Sequence, residues 1–476
     1  MKKAIFQYGS ARYCTVFINL LLTSILSRIL TPEDYGIISV IMVFCTFFNT
    51  LATMGLGTGI IQNKSISYQE TEGIFSFSAG ISILLWFFFW LLSYPVSWFY
   101  GDKIYIGVMK YLSISVLLNS LNVIPNALIL KAEKFRLISV RMIVSALISG
   151  FISIVIALKG GKYYSLIVQN ILIAGIPLFW NMASLKLHIR IKPNLEGLKK
   201  IGNYSFFQFL YSVILALSQN LDDLLVGKYV GSEQLAYYNK SYTVMRYPIN
   251  YIPHAVSPVL HPILSKYQED KNYIYDQYLK IIKVVSAIGL FVSFVFIWEA
   301  EEIVLLLFGS QWKDSVSVIR IFGFSIWFQV INAMAGSIYQ SVNATKNMFL
   351  SGVIHISISI FAIIIGIVSG SIDILAMVLT ISWGIKFIIE SVFLVKKSLN
   401  RSVKDYWRIF LPELLIFCVM SIAFYFLFPK IRFSLMMNLI VKTCSIIAVF
   451  SILYISLGQY KFLLNLRSNK FGHEDL

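Results

Sequence analysis

The chain has 476 residues, of which 58% are hydrophobic and only 13% are charged. A soluble protein normally carries about 25% charged residues, so this composition excludes an ordinary soluble enzyme or binding domain and predicts a polytopic membrane protein. The net charge of +17 does not indicate nucleic-acid binding, because the Lys and Arg residues lie in short loops between apolar runs, where they orient the chain and contact lipid headgroups.

Apolar runs of membrane-spanning length recur along the whole chain. A span needs about 20 mostly apolar residues, and this criterion gives about 14 helices. We expect them at 10–30, 36–62, 74–100, 104–130, 137–158, 163–184, 203–228, 235–264, 278–298, 316–341, 348–369, 372–395, 409–428 and 435–457. The basic N-terminal stretch precedes a run that lacks a small-residue cleavage site, so we expect the first helix to be retained.

The four cysteines carry no metal or disulfide signature. Cys14, Cys45, Cys418 and Cys444 all lie inside apolar segments, and they show neither a Cys-x-x-Cys nor a Cys/His spacing. The sequence therefore predicts no disulfide framework and no metal site.

The basic residues also predict the orientation of the chain. With the N-terminus in the cytoplasm, the loops on the cytoplasmic side receive about 24 Lys and Arg residues and the loops on the other side about 9. An even number of spans then places both termini in the cytoplasm. No loop is much longer than about 20 residues, which leaves no room for a catalytic domain on either face.

The chain nearly repeats itself at an offset of 200 residues. LLTSILSRILTPEDYG at 21–36 aligns with LDDLLVGKYVGSEQLA at 221–236, and each copy holds the end of one helix, a short acidic turn and the start of the next helix. Helices 1 and 7 both run from inside to outside, which indicates parallel repeats of six helices.

The repeat predicts an all-α polytopic membrane protein with two pseudo-symmetric six-helix lobes around a central cavity and two additional C-terminal helices. The lobes occupy 1–185 and 201–397, a cytoplasmic linker occupies 186–200, and the additional helices with a cytoplasmic tail occupy 398–476. Such halves are typical of transporters, which bind substrate near the midplane and rock between two access states.

Residues 218–270, SQNLDDLLVGKYVGSEQLAYYNKSYTVMRYPINYIPHAVSPVLHPILSKYQED, resemble the seventh and eighth helices of a known family. This is the polysaccharide transporter family, the Wzx-type oligosaccharide flippases of the multidrug/oligosaccharidyl-lipid/polysaccharide exporter superfamily. LSRILTPEDYGIISV at 26–40 matches the family's first turn, while Arg246 and His261 depart from its pattern. The matching positions are Asn220, Asp222, Gly227, Gly231, the run from Tyr237 to Tyr242 with Lys240 as its basic residue, Pro262, Leu264 and Ser265.

The resemblance implies a function in surface-glycan assembly. It implies that the protein translocates a lipid-linked oligosaccharide, usually on undecaprenyl diphosphate, across the bacterial cytoplasmic (inner) membrane by alternating access. The product would be an O-antigen, capsule or exopolysaccharide, and the expected partners are the lipid bilayer, a polysaccharide polymerase and a chain-length regulator, without nucleic acid. No cofactor is expected, and coupling to protons or sodium is left open.

Arg246 is the principal substrate-binding candidate. It lies about 12 residues, or roughly 18 Å, into helix 8, where it is too deep to reach water along the outside of the bundle. An anionic diphosphate needs such a cation, and Arg engages phosphate through two parallel hydrogen bonds. A buried structural ion pair is the alternative. Arg12 on helix 1 is a weaker companion, and His254 on the proline-rich helix 8 is either a packed hydrogen-bonding residue or a proton switch.

The adjacent acids Asp222 and Asp223 lie near the outer end of helix 7. Lys240 is at a similar depth on helix 8, so a structural Asp222–Lys240 pair is expected. Asp223 points about 100° further round the axis of helix 7 than Asp222. It is therefore a candidate for coupling-ion binding or for contact with sugar hydroxyls.

Four further basic residues inside the predicted spans favour structural roles. Arg141, Arg320 and Lys442 lie near helix ends, where long side chains reach the interface. Lys386 and Glu390 are four residues apart and are expected to pair along one helix.

Two other functions compete with the flippase. A cation-coupled drug or toxin antiporter should have an acidic cavity, whereas the central charges of this chain are mostly basic. A membrane enzyme of glycan assembly should have a large outer loop or a catalytic His/Asp cluster, and the sequence shows neither.

Overall fold

A computed structural model describes residues 2–53, 56–62, 66–185, 187–188, 196–198, 220–254, 264, 267–427 and 434–460. These residues form α-helices joined by short turns, and within them no strand is present. The prediction of an all-α polytopic membrane protein is confirmed.

The helices of the N-terminal half begin with α1 at Lys2–Ile29 and α2 at Pro32–Thr53. They continue with α3 at Leu56–Gln62, α4 at Tyr68–Tyr100, α5 at Ile104–Lys131, α6 at Phe135–Leu158 and α7 at Tyr164–Leu185, and a helical segment occupies 220–229. Helix α8 spans Ser232–His254.

The helices of the C-terminal half begin with α9 at Lys271–Trp298 and a short helix α10 at Ala300–Leu307. Then follow α11 at Ser315–Ser341, α12 at Thr345–Ser369, α13 at Ile372–Glu390 with a π-helical continuation at Ser391–Ser398, α14 at Val403–Arg408, α15 at Leu411–Leu427 and α16 at Leu435–Ser456.

Within the described ranges, twelve helices are long and apolar enough to cross a membrane. They match twelve of the fourteen predicted spans. The predicted span at 203–228 lies mostly outside the described residues, and the span at 235–264 is described mainly as α8, which is less apolar than the others. The count of fourteen therefore stays a prediction.

The chain forms two compact units, Met1–Ala236 and Tyr237–Leu476. In the first unit α4 packs on α5, α5 on α7, α6 on α7 and α1 on α6. In the second unit α9 packs on α11, α11 on α13 and α12 on α13. The predicted lobe boundary at 186–200 stays a prediction, because most of that segment lies outside the described residues.

The structure places the two copies of the predicted repeat in the same register. Helix α1 ends at Ile29 and α2 begins at Pro32, while the segment 220–229 ends at residue 229 and α8 begins at Ser232. The offset of 200 residues therefore holds at both helix boundaries.

In the first copy, the Asp34 carboxylate accepts hydrogen bonds from the Thr31 backbone N–H (3.1 Å) and from the Thr31 hydroxyl (3.0 Å). These bonds satisfy a backbone donor at the N-terminus of α2.

The C-terminal helices α15 and α16 pack against α9 through a core of apolar side chains. Its buried members are Phe294, Ile416, Met420, Phe424, Ile446 and Tyr454. Burial of this cluster on one face of α9 fixes the additional helix pair to the second unit.

Candidate functional site

Arg246 lies deep in α8, as the sequence predicts. Helix α8 begins at Ser232, three residues earlier than expected, so Arg246 is 14 residues into the helix, or about 21 Å from its start. The side chain is half-buried, and its guanidinium carbon lies 5.4 Å from the centre of the Tyr242 ring. No carboxylate among the described residues forms an ion pair with it.

The Tyr242 ring belongs to an aromatic platform, defined here as Tyr238, Tyr242, Phe322 and Trp383. Tyr238 and Tyr242 are 5.9 Å apart and nearly parallel, and Tyr242 lies 5.9 Å from Phe322 and 6.2 Å from Trp383. Tyr238, Tyr242 and Arg246 recur every four residues, which puts them on one face of α8. Tyr242 supports the guanidinium through a cation–π contact, while Tyr238, Phe322 and Trp383 are buried.

A neighbouring face of α8 attaches the helix to α11. The Ser241 hydroxyl donates to the Ser315 carbonyl (3.1 Å), and the Ser315 hydroxyl donates to the Tyr237 carbonyl (3.3 Å). Further along, the Ser325 hydroxyl contacts the Met245 sulfur at 3.4 Å. Tyr237, Ser241 and Met245 again follow a four-residue spacing, so α11 fixes the rotation of α8 and with it the direction of the Arg246 face.

Lys240 is buried against aromatic rings in the same unit. Its side chain is 8% exposed, and Nζ lies 5.1 Å from the Phe308 ring centre and 4.9 Å from that of Trp312. Asp222 is buried and Asp223 is half-buried in the helical segment 220–229. The expected Asp222–Lys240 pair and the coupling role of Asp223 stay predictions.

The two remaining candidates are Arg12, ten residues after the start of α1, and His254 at the end of α8. Arg12 is exposed on α1, and its role as a companion to Arg246 stays a prediction. His254 is the last residue of α8, and its side chain is outside the described part of the chain. Helix α8 contains Pro248 and Pro253, while Pro258 and Pro262 lie outside the described residues.

The interfacial location expected for Arg141 is wrong. The side chain is buried (5% exposed) between α5, α6 and α7, where its guanidinium donates to Asn181 and, at 2.9 Å, to Asn126. The Asn181 amide in turn donates to Asn122 at 2.8 Å. The position of a residue along its helix does not show which side chains the neighbouring helices bring to it. Here Asn126 and Asn181, from two adjacent apolar spans, accept hydrogen bonds from the Arg141 guanidinium inside the unit.

Lys442 forms an ion pair, and whether it reaches the interface stays a prediction. Its ammonium donates to the Glu302 carboxylate, and the next residue, Thr443, donates to Glu299 at 2.9 Å. Only 19% of the Lys442 side chain is exposed. Arg320 is exposed near the start of α11, and whether it reaches the interface stays a prediction. The structure shows no ion pair within 4 Å between Lys386 and Glu390, so their expected pairing stays a prediction.

Sequence reasoning missed the aromatic platform. A signal was present, since Tyr238, Tyr242 and Arg246 follow a helical spacing in the printed sequence. The ring partners Phe322 and Trp383, however, come from α11 and α13, and no local pattern indicates that these rings meet α8.

Comparison of the sequence with known proteins identifies a family and related proteins. The family described as "Polysaccharide biosynthesis protein" matches residues 25–317. A relative, the teichuronic acid biosynthesis protein TuaB of Bacillus subtilis, is 22% identical over 415 residues, which cover 86% of this chain and 85% of the relative.

Solved structures of membrane transporters share the fold. The lipid II flippase MurJ in an inward closed conformation aligns with a TM-score of 0.72 at 15% identity, over 94% of this chain and 99% of the other. An inward-facing multidrug resistance transporter of the MATE family aligns with a TM-score of 0.61 at 13% identity, over 81% of this chain and 95% of the other. At these identities the likeness concerns the fold.

Proposed function

The chain belongs to the family of polysaccharide biosynthesis proteins, and we propose that it is a flippase that moves a lipid-linked oligosaccharide across the bacterial cytoplasmic membrane. The proposed carrier is undecaprenyl diphosphate, and the proposed product is the repeat unit of a surface polysaccharide. The name of the relative TuaB and the description of the matched family support a role in polysaccharide assembly. The fold shared with a lipid II flippase supports movement of a lipid-linked glycan.

Arg246 on its aromatic platform carries the proposal. A single charge deep in a membrane helix is costly, so retained charges commonly face a substrate or ion pathway. The guanidinium is held by Tyr242 and lacks a carboxylate partner within the described residues. A diphosphate supplies two anionic groups of the geometry that Arg binds through paired hydrogen bonds.

The proposed cycle is alternating access. The headgroup enters from the cytoplasm, binds Arg246 and is released toward the outer leaflet after the second unit changes conformation. Pro248 and Pro253 interrupt the backbone hydrogen bonds of α8 within two turns after Arg246, so they allow the helix to bend there. Moving an intact lipid-linked glycan breaks no covalent bond, so the proposal requires no organic cofactor.

The proposed location is the inner membrane with both termini in the cytoplasm. The proposed partners are the lipid-linked oligosaccharide and, on the outer side, a polymerase and a chain-length regulator that consume the translocated unit. Coupling to an ion gradient is part of the proposal, because export against a concentration difference needs a source of free energy.

A drug or toxin antiporter is the competing transporter. Its fold is also shared, since a MATE transporter aligns over most of the chain. The charge of the proposed site disfavours it, because the Arg246 guanidinium repels organic cations. We therefore do not expect the protein to export organic cations.

The test uses a strain in which the gene is deleted. We expect lipid-linked glycan to accumulate in the inner leaflet and surface glycan to disappear, and the wild-type gene to restore export. Arg246→Ala should not restore export although the protein accumulates with normal thermal stability, and Arg246→Lys should restore it partly, since a point charge does not reproduce the paired hydrogen bonds. Normal export with Arg246→Ala, or a deletion that changes resistance to organic cations but not glycan, would overturn the proposal.

A further inference from the structure

A groove opens between α1 and α6 on the side of the first unit that is predicted to be cytoplasmic. It holds a cavity of about 440 Å³, which is within the range of about 300–1,000 Å³ that is typical of small-molecule sites. This cavity is called the α1–α6 groove below. Its lining includes Ser10 and Cys14 of α1 and Arg136, Ser139, Val140 and Ile143 of α6.

The groove lies where two parallel helices separate. Deeper in the unit α6 packs closely on α1, since a Cβ on Gly150 would overlap the Leu22 side chain. Ala11 and Ser139 each precede this contact by 11 residues in their own helix, and both line the groove. The two helices therefore keep one parallel register, touch at Leu22 and leave a cavity near their ends on the predicted cytoplasmic side.

The lining changes from polar to apolar with depth. Arg136 is the second residue of α6, and Ser10 is the second residue of the membrane-spanning part of α1, which begins at Gly9. Val140 and Ile143 follow Arg136 by four and seven residues, which places them about 6 and 10 Å deeper along the helix. This order matches that of a phospholipid, which has its phosphate at the membrane surface and its acyl chains in the hydrocarbon core.

Arg136 supplies a positive charge that the described residues do not neutralise. Its side chain is exposed and forms no ion pair with a described carboxylate, including Glu133 in the preceding turn. The Ser139 hydroxyl donates to the Phe135 carbonyl at 2.8 Å, so it offers an acceptor to a ligand and not a free donor. A guanidinium has five N–H donors in a planar fork that fits phosphate oxygens. Recognition of an anion in the groove therefore depends on Arg136.

The charges around the groove favour an anionic lipid over a neutral one. Lys131 ends α5, and Lys134 precedes α6 in the same turn, where the N-terminus of α6 has no side-chain cap. The two lysines and the positive end of the helix dipole attract a negative headgroup. Basic pockets between transmembrane helices on the cytoplasmic side are typical sites for anionic lipid headgroups.

We propose that the α1–α6 groove binds an anionic glycerophospholipid of the inner leaflet, with its phosphate on Arg136 and an acyl chain along Val140 and Ile143. The site is independent of the proposed flippase function, because this lipid stays bound and is not transported. The one guanidinium of the lining balances the single negative charge of a phosphodiester, whereas a lipid diphosphate carries more than one. The experiments must exclude two alternatives, the lipid-linked substrate as occupant and bulk lipid without preference.

Cys14 is a native reporter of the groove, because it is exposed and belongs to the lining. A variant that keeps only this cysteine is reconstituted into vesicles of phosphatidylcholine, with or without phosphatidylglycerol. The rate at which an uncharged maleimide modifies Cys14 should fall several-fold when phosphatidylglycerol is present. A variant that keeps only Cys444, an exposed cysteine of α16, is the control and should react equally in both kinds of vesicle. An unchanged rate at Cys14, or an equal fall at Cys444, would overturn the site.

A matched pair of substitutions separates specific binding from general surface charge. Arg136→Ala should weaken the protection of Cys14 about fivefold, which corresponds to about 1 kcal/mol for one basic residue at an anionic surface. Lys134→Ala removes the same charge from the adjacent turn but not from the lining, so it should leave most of the protection. Equal losses in both variants would show that only the surface potential acts and would contradict the site.

The acyl-chain part of the groove is tested while Arg136 stays in place. Val140 is 44% exposed, so Val140→Trp fills the groove without entering the packed interior. Val353→Trp is the matched control, since Val353 on α12 is 43% exposed and lies outside the groove. Phosphatidylglycerol should raise the midpoint of thermal unfolding in detergent for the wild type and for Val353→Trp, and less for Val140→Trp. An equal rise in all three proteins would contradict binding in the groove.

Undecaprenyl diphosphate distinguishes the remaining occupant. Added to the phosphatidylcholine vesicles in place of phosphatidylglycerol, it should protect Cys14 less than phosphatidylglycerol does. Protection by undecaprenyl diphosphate alone would overturn the proposal and identify the groove as a substrate site. A protein that does not move lipid-linked glycan but keeps the protection by phosphatidylglycerol would refute the flippase function and retain the lipid site.

Discussion

Gly36 on α2 packs directly against the backbone carbonyl of Ser232, and a Cβ at residue 36 would lie 2.1 Å from that oxygen. The contact joins the starts of the two helices that follow the repeated turn, α2 and α8, so only a residue without a side chain fits there. Nearby, the Tyr100 hydroxyl donates to the Leu224 carbonyl at 3.0 Å. The backbones of the two repeat copies therefore approach within the first unit.

We expect Gly36→Ala to destabilise the protein. The new methyl group meets backbone that cannot move aside easily, and over-packing of this kind costs about 1–3 kcal/mol, which exceeds the helix propensity of about 1 kcal/mol that Ala gains over Gly. The measurement is the midpoint of thermal unfolding in detergent. Gly80→Ala in α4 is the matched control, because nothing lies within 4 Å of a Cβ there. It should leave the midpoint unchanged or raise it, and an equal loss in both variants would contradict the contact.

The Lys442–Glu302 ion pair should stabilise the attachment of α16 to α10. Both side chains are mostly buried, at 19% and 6% exposed, so either single neutralisation leaves an uncompensated charge. We expect Lys442→Met and Glu302→Gln each to lower stability by on the order of 2 kcal/mol, between the values for exposed and fully buried pairs. The double variant should lose less than the sum. Additive losses in this thermodynamic cycle would show that the pair does not interact.

Beside this pair, Glu299 should make stability depend on pH. Burial, assisted by the nearby Glu302 charge, raises the pKa of the Glu299 carboxyl to about 7, although a hydrogen bond from Thr443 and the Lys442 charge oppose the shift. The unfolded chain ionises near its ordinary pKa of 4.5. Between these two values the unfolded state releases its proton first, so the contribution of this group to stability falls as pH rises through the window and stays low above it.

The check compares thermal unfolding of the wild type and of Glu299→Gln across mildly acidic to neutral pH. The wild-type midpoint should fall with rising pH relative to the variant, since Gln carries no titratable proton. A constant difference between the two proteins across this range would rule out the elevated pKa.

Orientation can be tested with four lysine positions that are exposed in the structure. In a background without the native cysteines, Cys at Lys346 or Lys404 should resist an impermeant thiol reagent in intact cells, and Cys at Lys103 or Lys313 should react. The expectation follows from the excess of Lys and Arg on the side of the first pair. All four should react after permeabilisation. The opposite labelling pattern would invert the predicted topology.

The sequence predicts the spans well because length and hydropathy determine whether a helix crosses a membrane. All twelve candidate spans of the described residues were predicted, and the turn before Ser232 is in the register of the turn before Pro32. The sequence also indicates how far Arg246 lies from the start of α8, because this distance follows from the number of residues between them.

Partners from other helices were less predictable. Arg141 was expected at the interface, but Asn126 and Asn181 from two neighbouring helices hydrogen-bond with it. Likewise, the spacing of Ser351, His355 and Ser359 is visible in the sequence, but only the packing of α12 on α13 shows that Ser359 meets Ser382. Local patterns define a helix face, and tertiary packing determines what that face meets.

Transbilayer movement of the proposed substrate tests the central claim most directly. The purified protein is reconstituted into vesicles that carry a fluorescent undecaprenyl-diphosphate-linked oligosaccharide, and an impermeant reagent reports the fraction of labelled lipid in the outer leaflet over time. We predict that the wild-type protein exchanges the lipid between leaflets and that Arg246→Ala slows this about tenfold or more, as expected for the loss of charged hydrogen bonds worth about 1.5–3 kcal/mol. Exchange no faster than in protein-free vesicles, or equal exchange with Arg246→Ala, would contradict the account.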